Sequence, residues 1–316
     1  MTITQLQYVL AIAEYRNFTI AAEKCFVTQP TMSMQVQKLE EELDVQIFDR
    51  KKKPIALTTV GRKIIEQARN IVNESYRIKD IVDQQKGFIG GEFRLGIIPT
   101  VTPTLLPMFL KLFMKKYPNV QLKIEEINTS QIIKKLKEGH LDAAIAVTPL
   151  EVPELKERVL YYEPFVCYIP KEHRLFSKKK INTDDLDFHE LLLLEDGHCF
   201  RNGVVNLCPS SQKNREKLQL ESGSFETLIK LTNEGLGMTL LPFLHTLDIK
   251  PDMQNQLRFF EEPSPARAVS LVYHESELKS HITNALRDVI VGVVKGAIAF
   301  HDVKIISPLK NKTRTN

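Results

Sequence analysis

The stretch Thr28-Gln29-Pro30-Thr31-Met32-Ser33-Met34-Gln35-Val36-Gln37-Lys38-Leu39-Glu40 decides the fold of the N-terminal part of this chain. Thr28 is a favourable helix N-cap, and Pro30 lies in the first turn, where a missing N–H is tolerated. Met32 and Val36 share one face at helical spacing, so this face is predicted to be buried. The opposite face carries short polar groups and amides rather than the mixture of Glu and Lys that is typical of a solvated surface.

The residues on either side of this helix extend the motif. Upstream, another helix is predicted to begin near Thr19, so a helix and a tight turn come first, as in a helix-turn-helix. Downstream, Arg50-Lys51-Lys52-Lys53 is closed by Pro54 and followed by a possible strand at Ile55-Ala56-Leu57. A lone basic run is more often a solvated loop, but beside this helix it predicts a winged hairpin that contacts DNA phosphates.

A long helix with an apolar seam is predicted to follow. From residue 64, apolar or small residues recur in alternating steps of four and three, which is the a/d pattern of a coiled coil. These positions are Ile64, Ala68, Ile71, Ser75, Ile78 and Val82. We expect a linker helix over residues 64–87 that makes a modest dimer contact, since Ser75 weakens the seam. Gly90-Gly91 supplies a flexible joint after it.

From Glu92 onward the pattern changes to alternating strands and helices, which favours a largely parallel sheet. Strands are predicted at residues 93–98, 120–124, 141–147, 165–169, 191–194, 218–220, 238–241 and 268–273. Helices are predicted at residues 105–117, 131–138, 224–233 and 277–300. We expect two α/β subdomains joined by two crossings: about residues 88–161 with 268–302, and about residues 162–267. Residues 308–316 are polar and rich in lysine, so a frayed tail is expected.

Residues 195–208 contain two of the four cysteines of the chain. His198 and Arg201 lie within two residues of Cys199, and nearby cations lower the pKa of a cysteine, whose thiolate is the nucleophile. Cys199 is therefore a candidate reactive thiol and Cys208 a candidate partner for it. The alternative is that both are small buried hydrophobic residues, as free cysteines often are.

Two threonines and the other two cysteines have less distinctive surroundings. Thr100 and Thr129 each follow a predicted strand, at the edge of the sheet where ligands bind in α/β folds. For either threonine alone, a helix N-cap is the more ordinary interpretation. Cys25 falls in the helix-turn-helix and Cys167 in a predicted strand, and both are interpreted as core residues.

Length and composition restrict the class of protein. A chain of 316 residues with 43% hydrophobic and 26% charged residues suits two or three folded domains. The net charge of +4 permits binding to nucleic acid without requiring it. The N-terminal residues lack the basic region of a secretory signal, and the late apolar run at 289–300 is too short to span a bilayer. A cytoplasmic, nucleoid-associated protein is expected, in a compartment where cysteine pairs are more often redox-active than structural.

Residues 1–63 resemble the winged helix-turn-helix of LysR-type transcriptional regulators. The motifs are Phe18-Thr19-Ile20-Ala21-Ala22, Thr28-Gln29-Pro30-Thr31-Met32-Ser33, Leu39-Glu40, Phe48-Asp49-Arg50 and, at the start of the long helix, Thr58-Thr59-Val60-Gly61. The resemblance implies an α+β multidomain protein: a winged helix-turn-helix, a coiled-coil linker helix, and a periplasmic-binding-protein-like effector domain over residues 88–316. It also implies two groups of DNA contacts. These are Gln29, Pro30, Thr31, Ser33 and Gln37 near base edges or phosphates, and Arg50, Lys51, Lys52 and Lys53 in the wing.

A narrower resemblance, to the members of that family that sense hydrogen peroxide, covers nearly the whole chain before the tail. It rests on residues 194–201 with a second cysteine nine positions after the first, and on three further motifs. These are Gly96-Ile97-Ile98-Pro99-Thr100, Ser224-x-Glu226-Thr227-Leu228 and Leu271-Val272-Tyr273. The roles it implies are Cys199 as peroxidatic cysteine, Cys208 as resolving cysteine, Thr100, Thr129 and His198 as residues that position peroxide, and Arg267 near the sulfur. The chain departs from the pattern at residues 202–205 and at Pro209.

The same resemblance implies the partners of the protein. They are double-stranded promoter DNA, RNA polymerase, other copies of the chain in a dimer or tetramer, hydrogen peroxide, and thiol reductants such as glutaredoxin or thioredoxin. Oxidation of the cysteine would be stoichiometric signalling without turnover, so neither an enzyme nor a cofactor is expected.

Three alternatives remain open at this point. The first is a LysR-type regulator that responds to a small organic anion between the two subdomains, with both cysteines incidental. The second is a zinc sensor that uses His198, Cys199 and Cys208, although structural zinc sites usually have more closely paired ligands. An enzyme is the weakest alternative, because no Walker loop, dinucleotide fingerprint or catalytic triad spacing is found.

Overall fold

A computed structural model of the chain describes residues 1–85, 89–208, 223–277, 279–298 and 303–309. The molecule divides into two compact units, residues 1–88 and residues 89–316. The predicted strand at 218–220 lies outside the described residues.

The first unit is a winged helix-turn-helix, as the sequence predicts. Its elements are α1 (Ile3–Tyr15), α2 (Phe18–Lys24), α3 (Gln29–Leu43), β1 (Phe48–Asp49), β2 (Ala56–Leu57) and α4 (Thr59–Gln85). The hydroxyl of Thr28 accepts a hydrogen bond from the Thr31 N–H and so caps α3, as expected. The strands β1 and β2 pair in antiparallel orientation and flank the basic wing. Met32 and Val36 are fully buried, which confirms the predicted core face of α3.

The long helix α4 belongs partly to the core of this unit. It begins at Thr59, five residues before the predicted linker, and in its first turn Gly61 packs directly against Ile47, the residue before β1. A Cβ at Gly61 would lie 2.1 Å from the carbonyl oxygen of Ile47, so only glycine permits this approach. Ala68 is buried in the unit, whereas Ile78 and Val82 farther along the predicted seam are 68% and 45% exposed. The predicted seam is therefore buried near its start and exposed towards its end.

The second unit is built on one nine-stranded mixed sheet. Its first elements are β3 (Gly91–Ile97), α5 (Thr102–Lys116), β4 (Val120–Glu126), α6 (Thr129–Lys137), β5 (Ala143–Thr148), β6 (Leu155–Tyr168) and β7 (Lys180–Ile181). The later ones are α7 (Cys199–Leu207), α8 (Phe225–Asn233), β8 (Thr239–Pro242), α9 (Phe243–Thr246), β9 (Leu257–Phe260), β10 (Ser264–His274), α10 (Ser280–Val294) and β11 (Val303–Ile305). The strand order is β4-β3-β5-β10-β6-β9-β7, with β11 paired to β10 and β8 to β6.

Two long strands connect the halves of this unit. The strands β6 and β10 pair in antiparallel orientation from Leu155–His274 to Pro164–Ala266, with one irregularity between Val269 and Ser270. One hydrophobic core lies mainly on β3, β5, α5 and α10, and a second on the later part of β6, α7, α8 and β8. Two subdomains are therefore present, but the predicted boundary at residue 161 falls inside a continuous strand.

Three other predicted elements differ from the structure. The predicted strand at 191–194 forms only an isolated bridge, from Leu191 to Met238. The predicted helix at 277–300 spans Ser280–Val294, and the Glu277 carboxylate accepts hydrogen bonds from the Lys279 N–H and the Thr283 hydroxyl in the turn before it. Residues 299 and 300 lie outside the described residues. Residues 303–309, which include the start of the predicted tail, form β11 and a segment packed against α7.

Candidate functional site

The first cysteine of the candidate pair opens a helix. Cys199 is the first residue of α7, His198 occupies the N-cap position, and Cys208 follows the last residue of the helix. All four cysteines of the chain are free thiols, and Cys199 and Cys208 are both buried. The N-terminus of a helix carries a partial positive charge that favours a thiolate at Cys199.

A buried ion pair lies beside Cys199. The Arg267 guanidinium contacts the Glu163 carboxylate, with Nε 2.9 Å and Nη2 2.7 Å from Oε2. Its Nη1 and Nη2 groups also donate to the hydroxyl and carbonyl oxygens of Thr100, each at 3.0 Å. The guanidinium stacks over the ring of Phe200, the residue after Cys199, at 5.2 Å from the centroid. The structure thus brings Arg267 and Thr100 together next to the first turn of α7.

Burial and local charge act on Cys199 in opposite directions. Burial raises the pKa of the thiol, and the positive charge of Arg267 is the largest influence that lowers it. The Thr129 hydroxyl and the backbone N–H groups of Cys199 and Phe200 also lower the pKa by stabilising the thiolate. The Thr129 hydroxyl is buried and makes no hydrogen bond to another oxygen or nitrogen of the described residues, so it remains available to the sulfur.

The other three thiols have no such opposing groups among the described residues. Burial raises the pKa of Cys25, with Glu14 raising it further. Burial likewise raises the pKa of Cys167, and that of Cys208 to about 12, where Asp187 adds to the effect. Burial outweighs these groups, so the pKa of Cys199 is raised overall, but Cys199 is the one cysteine of the four with described neighbouring groups that oppose this rise.

The two basic residues close to Cys199 in sequence contact other groups, which corrects one step of the sequence argument. The Arg201 guanidinium donates to the carbonyl oxygen of Leu194 at 3.0 Å and pairs with Asp196 at 3.3 Å. The His198 ring lies 3.3 Å from the Glu195 carboxylate. The cation beside the sulfur is Arg267, which lies 68 positions later in the chain.

Helix α7 separates the two cysteines in this state. Its nine helical residues, at about 1.5 Å per residue, place the Cα atoms of Cys199 and Cys208 roughly 13 Å apart. A disulfide requires these atoms within about 7 Å. Gly203 faces the ring of Phe165, where a Cβ would lie 3.2 Å from the ring, so this glycine allows α7 to pack closely on β6.

The outer side of α7 is held by the C-terminal segment. The Asn202 amide donates to the carbonyl oxygen of Pro308 at 3.0 Å. The Asn206 amide donates to those of Ser307 and Leu309, each at 2.9 Å. The helix that carries both cysteine positions is therefore fixed on two sides, by β6 and by residues 307–309.

Glu163 is the residue that sequence reasoning missed. It is 1% exposed, and its second oxygen accepts the Leu244 N–H at 3.0 Å. The sequence does distinguish Glu163, because it is the only charged residue in the apolar run of residues 160–169. A charge in a buried strand is expected to have a partner of opposite sign, and Arg267 is similarly isolated in β10.

The candidate DNA-binding residues lie on the first unit. Gln29, Pro30, Thr31 and Gln37 are exposed along α3, and Ser33 is half-buried. Lys51, Lys52 and Lys53 are exposed in the wing. Arg50 pairs with Glu40 at 2.8 Å and lies over the Phe18 ring, so it also fixes the wing to α3.

We expect the wing lysines to supply phosphate contacts. Replacing Lys51, Lys52 and Lys53 with glutamine should weaken binding to specific and random DNA alike. It should also reduce the slope of log K against log salt by up to about three, because each lost phosphate contact removes about 0.9. The matched control replaces the exposed Lys171, Lys179 and Lys180 of the second unit with glutamine. An unchanged salt slope in the wing variant would show that this hairpin does not contact DNA.

Neither a membrane-spanning helix nor a cluster of metal ligands is found among the described residues. None of the helices in that part of the chain is long and apolar enough to cross a membrane. Over the same residues, no three His, Cys, Asp or Glu side chains are grouped as ligands of a metal ion.

Comparison with known proteins gives matches over both units. Residues 3–62 match the helix-turn-helix of the lysR family of bacterial regulatory proteins, and residues 86–295 match the LysR substrate binding domain. A relative from Pectobacterium carotovorum subsp. carotovorum, a hydrogen peroxide-inducible genes activator, is 34% identical over 86% of this chain and 90% of its own length.

Two solved structures resemble this one over most of the chain. Full-length OxyR from Pseudomonas aeruginosa, in a mutant form, matches with a TM-score of 0.76 and 33% identity, over 92% of this chain and 98% of that one. A mutant of OxyR from Corynebacterium glutamicum with hydrogen peroxide bound matches with a TM-score of 0.61 and 26% identity, over 96% of this chain and 98% of that one.

Proposed function

Because this chain belongs to the LysR family of bacterial transcriptional regulators, we propose that it is a peroxide-responsive regulator in which Cys199 is the sensing residue. The observation that carries the proposal is the buried Cys199 thiol, which has Arg267 and Thr129 beside it to stabilise a thiolate. The relatives named as peroxide-inducible activators, and the solved relative with peroxide bound, support the choice of oxidant.

The proposed chemistry uses two thiols and one peroxide. The Cys199 thiolate attacks one oxygen, an S–O bond forms as the O–O bond breaks, and the departing hydroxide takes a proton to become water. The hydroxyls of Thr100 and Thr129 and the imidazole of His198 are proposed to hold the peroxide oxygens. The Cys208 thiol then attacks the sulfenic sulfur, which forms the disulfide and releases a second water. A dithiol such as glutaredoxin or thioredoxin is proposed to reduce it again by exchange.

Closure of the disulfide requires α7 to unwind, because the two cysteines lie at its opposite ends. The helix is suited to this change: Gly203 in its interior disfavours helix by roughly 1 kcal/mol relative to alanine. Cys208 must also leave a buried site, where its pKa is raised to about 12. We propose that this refolding alters the contact between effector domains in a dimer or tetramer. The spacing of the DNA-binding units, the promoter footprint and recruitment of RNA polymerase would change with it.

Hydrogen exchange should report the refolding directly. We expect backbone amides of residues 202–208 to exchange at least about a hundredfold faster in the disulfide form, since the helical hydrogen bonds of α7 are lost. Helix α8 has the same length of nine residues and serves as the internal control, with unchanged protection. Equal protection of α7 in both forms would contradict the switch even if the disulfide were present.

Peptide mapping after a brief, low dose of peroxide tests the proposed function itself. Trypsin cleaves after Arg201 and so places Cys199 and Cys208 on separate peptides of the reduced chain. We expect both to be lost from the free-thiol pool together and to reappear as one disulfide-linked pair. An unreactive Cys199, together with a small organic anion that raises the melting temperature, would favour a metabolite-responsive regulator instead.

A further inference from the structure

The charge of Arg267 is partly compensated by the Glu163 carboxylate beside it. The Glu163 carboxylate is 1% exposed and Arg267 is 2% exposed, with 2.7 Å between Oε2 and Nη2. The remaining oxygen of Glu163 accepts the Leu244 N–H in the first turn of α9. The carboxylate is thus fixed at both oxygens and cannot turn away from the guanidinium.

The sulfur experiences this pair rather than an isolated cation. Arg267 is held over Phe200, beside Cys199, and it opposes the effect of burial on the thiol. In a buried site the interaction of charges is weakly screened, so a carboxylate bound to that guanidinium reduces its influence on the sulfur. The strength of thiolate stabilisation therefore depends on Glu163 as well as on Arg267.

We propose that Glu163 is a positioning residue that sets the reactivity of Cys199 by compensating the charge of Arg267. This inference rests on the proposed function only in taking Cys199 as the reactive thiol. Glu163 holds Arg267 toward Thr100, and it limits how readily the sulfur reacts with electrophiles in general. The site would thereby keep Cys199 unreactive until peroxide is bound by the neighbouring hydroxyl groups.

Three other titratable side chains interact with the pair or with its neighbours, those of His245, Tyr161 and Glu226. Burial lowers the pKa of His245 on α9, so its ring is neutral there, and loss of Glu163 would lower this pKa further. Burial raises the pKa of Tyr161 on β6 well above its usual value, so its hydroxyl stays protonated. Glu226, on α8, is exposed and screened by water.

The test is the pH dependence of Cys199 alkylation by iodoacetamide in the full-length reduced protein, measured on the tryptic peptide that ends at Arg201. In Glu163→Gln the amide keeps the size of the side chain and its hydrogen bond from Arg267 but removes the charge. Cys199 should then react at least about threefold faster at neutral pH, because a tenfold gain in thiolate outweighs about a threefold loss of nucleophilicity. At high pH it should react more slowly than wild type.

Two further variants complete the test. Glu157→Gln is the matched control, since Glu157 also lies on β6 and its carboxylate accepts a backbone N–H, from Leu150 at 2.8 Å. It should leave the pH dependence of Cys199 alkylation unchanged. Glu163→Asp keeps the charge but moves it away from Arg267, so a smaller change of the alkylation rate in the same direction is expected. If Glu163→Gln does not fold, this variant tests the role of Glu163.

Unchanged profiles in the Glu163 variants would overturn this inference and show a purely structural role. Alkylation involves no peroxide, so that result leaves the proposed function standing. If Cys199 of the wild-type protein does not respond to peroxide, the proposed function fails, while the alkylation profile still decides the role of Glu163.

A second inference comes from the C-terminal residues. Strand β11 pairs in parallel with Ser264–Ala266 of β10, and the Ile306 N–H donates to the Ala266 carbonyl at 2.8 Å. The chain then crosses α7, where Asn202 and Asn206 bind three successive carbonyl groups. We call residues 303–309 the C-terminal strap. The match to the LysR substrate binding domain ends at residue 295, so the strap lies beyond it.

We infer that the C-terminal strap stabilises the reduced form and raises the peroxide threshold of the switch. Asn202 and Asn206 are four positions apart, so they face the strap together only while α7 is helical. Unwinding of α7 for the proposed disulfide breaks all three hydrogen bonds. Each contributes a factor of roughly two to ten to an equilibrium constant at 25 °C. This inference depends on disulfide closure as proposed above.

The test is the equilibrium of full-length protein with glutathione buffers, in which the disulfide and two glutathione thiols give two protein thiols and glutathione disulfide. The variant Asn202→Ala/Asn206→Ala should favour the disulfide by at least about fourfold. Alanine is the stronger helix former, so helix propensity alone predicts the opposite direction. A chain that ends at residue 302 should show a shift of the same sign.

The outcomes of this test are distinguishable. A wild-type protein that forms no Cys199–Cys208 disulfide refutes the proposed switch and the strap with it. The wild-type protein could form the disulfide while the ratio of disulfide to dithiol protein is unchanged or lower in the double variant. That result would refute only the proposed role of the C-terminal strap.

Discussion

Cys199→Ser is expected to abolish the response of this protein to hydrogen peroxide while its affinity for DNA in the reduced form stays unchanged. Serine is similar in size to cysteine, so the packing at the start of α7 is kept. Its hydroxyl is not oxidised by peroxide, and it forms neither a sulfenic acid nor a disulfide. The measurement is the promoter footprint before and after a brief dose of peroxide, which should be identical in the variant.

The other core thiols provide the matched controls. Cys25→Ser and Cys167→Ser should respond like the wild type, because the described surroundings of both thiols only raise their pKa values. A peroxide-dependent footprint that survives in Cys199→Ser would contradict the proposal that Cys199 is the sensing residue. Loss of the response in Cys167→Ser with an intact fold would assign the chemistry to a different thiol.

Arg267→Leu is expected to cause the largest loss of stability. It leaves the Glu163 carboxylate buried without its counter-ion, which costs about 3–5 kcal/mol when one partner of a buried pair is removed. Domains are typically stable by only about 5–15 kcal/mol, so this is a large share of the total. Urea unfolding of the reduced full-length protein measures the change, through the transition of the second unit.

The paired replacement Glu163→Leu/Arg267→Leu separates charge from packing. With neither charge present, most of the lost stability should return, since a buried ion pair replaced by apolar residues is often neutral. A cost of roughly 1–3 kcal/mol should remain, because the Leu244 N–H loses its acceptor and the buried Thr100 hydroxyl and carbonyl lose their donor. A single Arg267→Leu variant as stable as the wild type would show that the pair is hydrated in solution.

The sequence predicts the local elements of this protein well. The N-cap at Thr28 and the basic hairpin after α3 are both determined by neighbours in the chain, and both are present. The predicted strand at 191–194 is as apolar as a real strand, yet it finds only one bridging partner, at Met238. Whether an apolar run pairs depends on what lies beside it in space, and periodicity does not carry this information.

The site shows the same division between local and distant information. The start of a helix at Cys199 follows from the sequence around it, whereas the charge beside the sulfur does not. Arg201 is close in sequence but turns to Asp196 and Leu194. Arg267 reaches the sulfur because β10 lies beside β6 in the sheet. Resemblance to a family pointed to Arg267, and only the isolated charge in an apolar strand could have pointed to Glu163.

The pairing of β6 with β10 also restricts how the second unit can deform. The two strands run through both subdomains, so a clamshell closure around a ligand would have to bend the ladder that joins them. We expect such bending to concentrate at the irregularity between Val269 and Ser270, where the register of the ladder shifts. Helix α7 is not a strand of this sheet, so its proposed unwinding does not require any strand of the ladder to separate. We therefore expect the proposed switch to act through a local change at α7, with little hinge motion between the two subdomains.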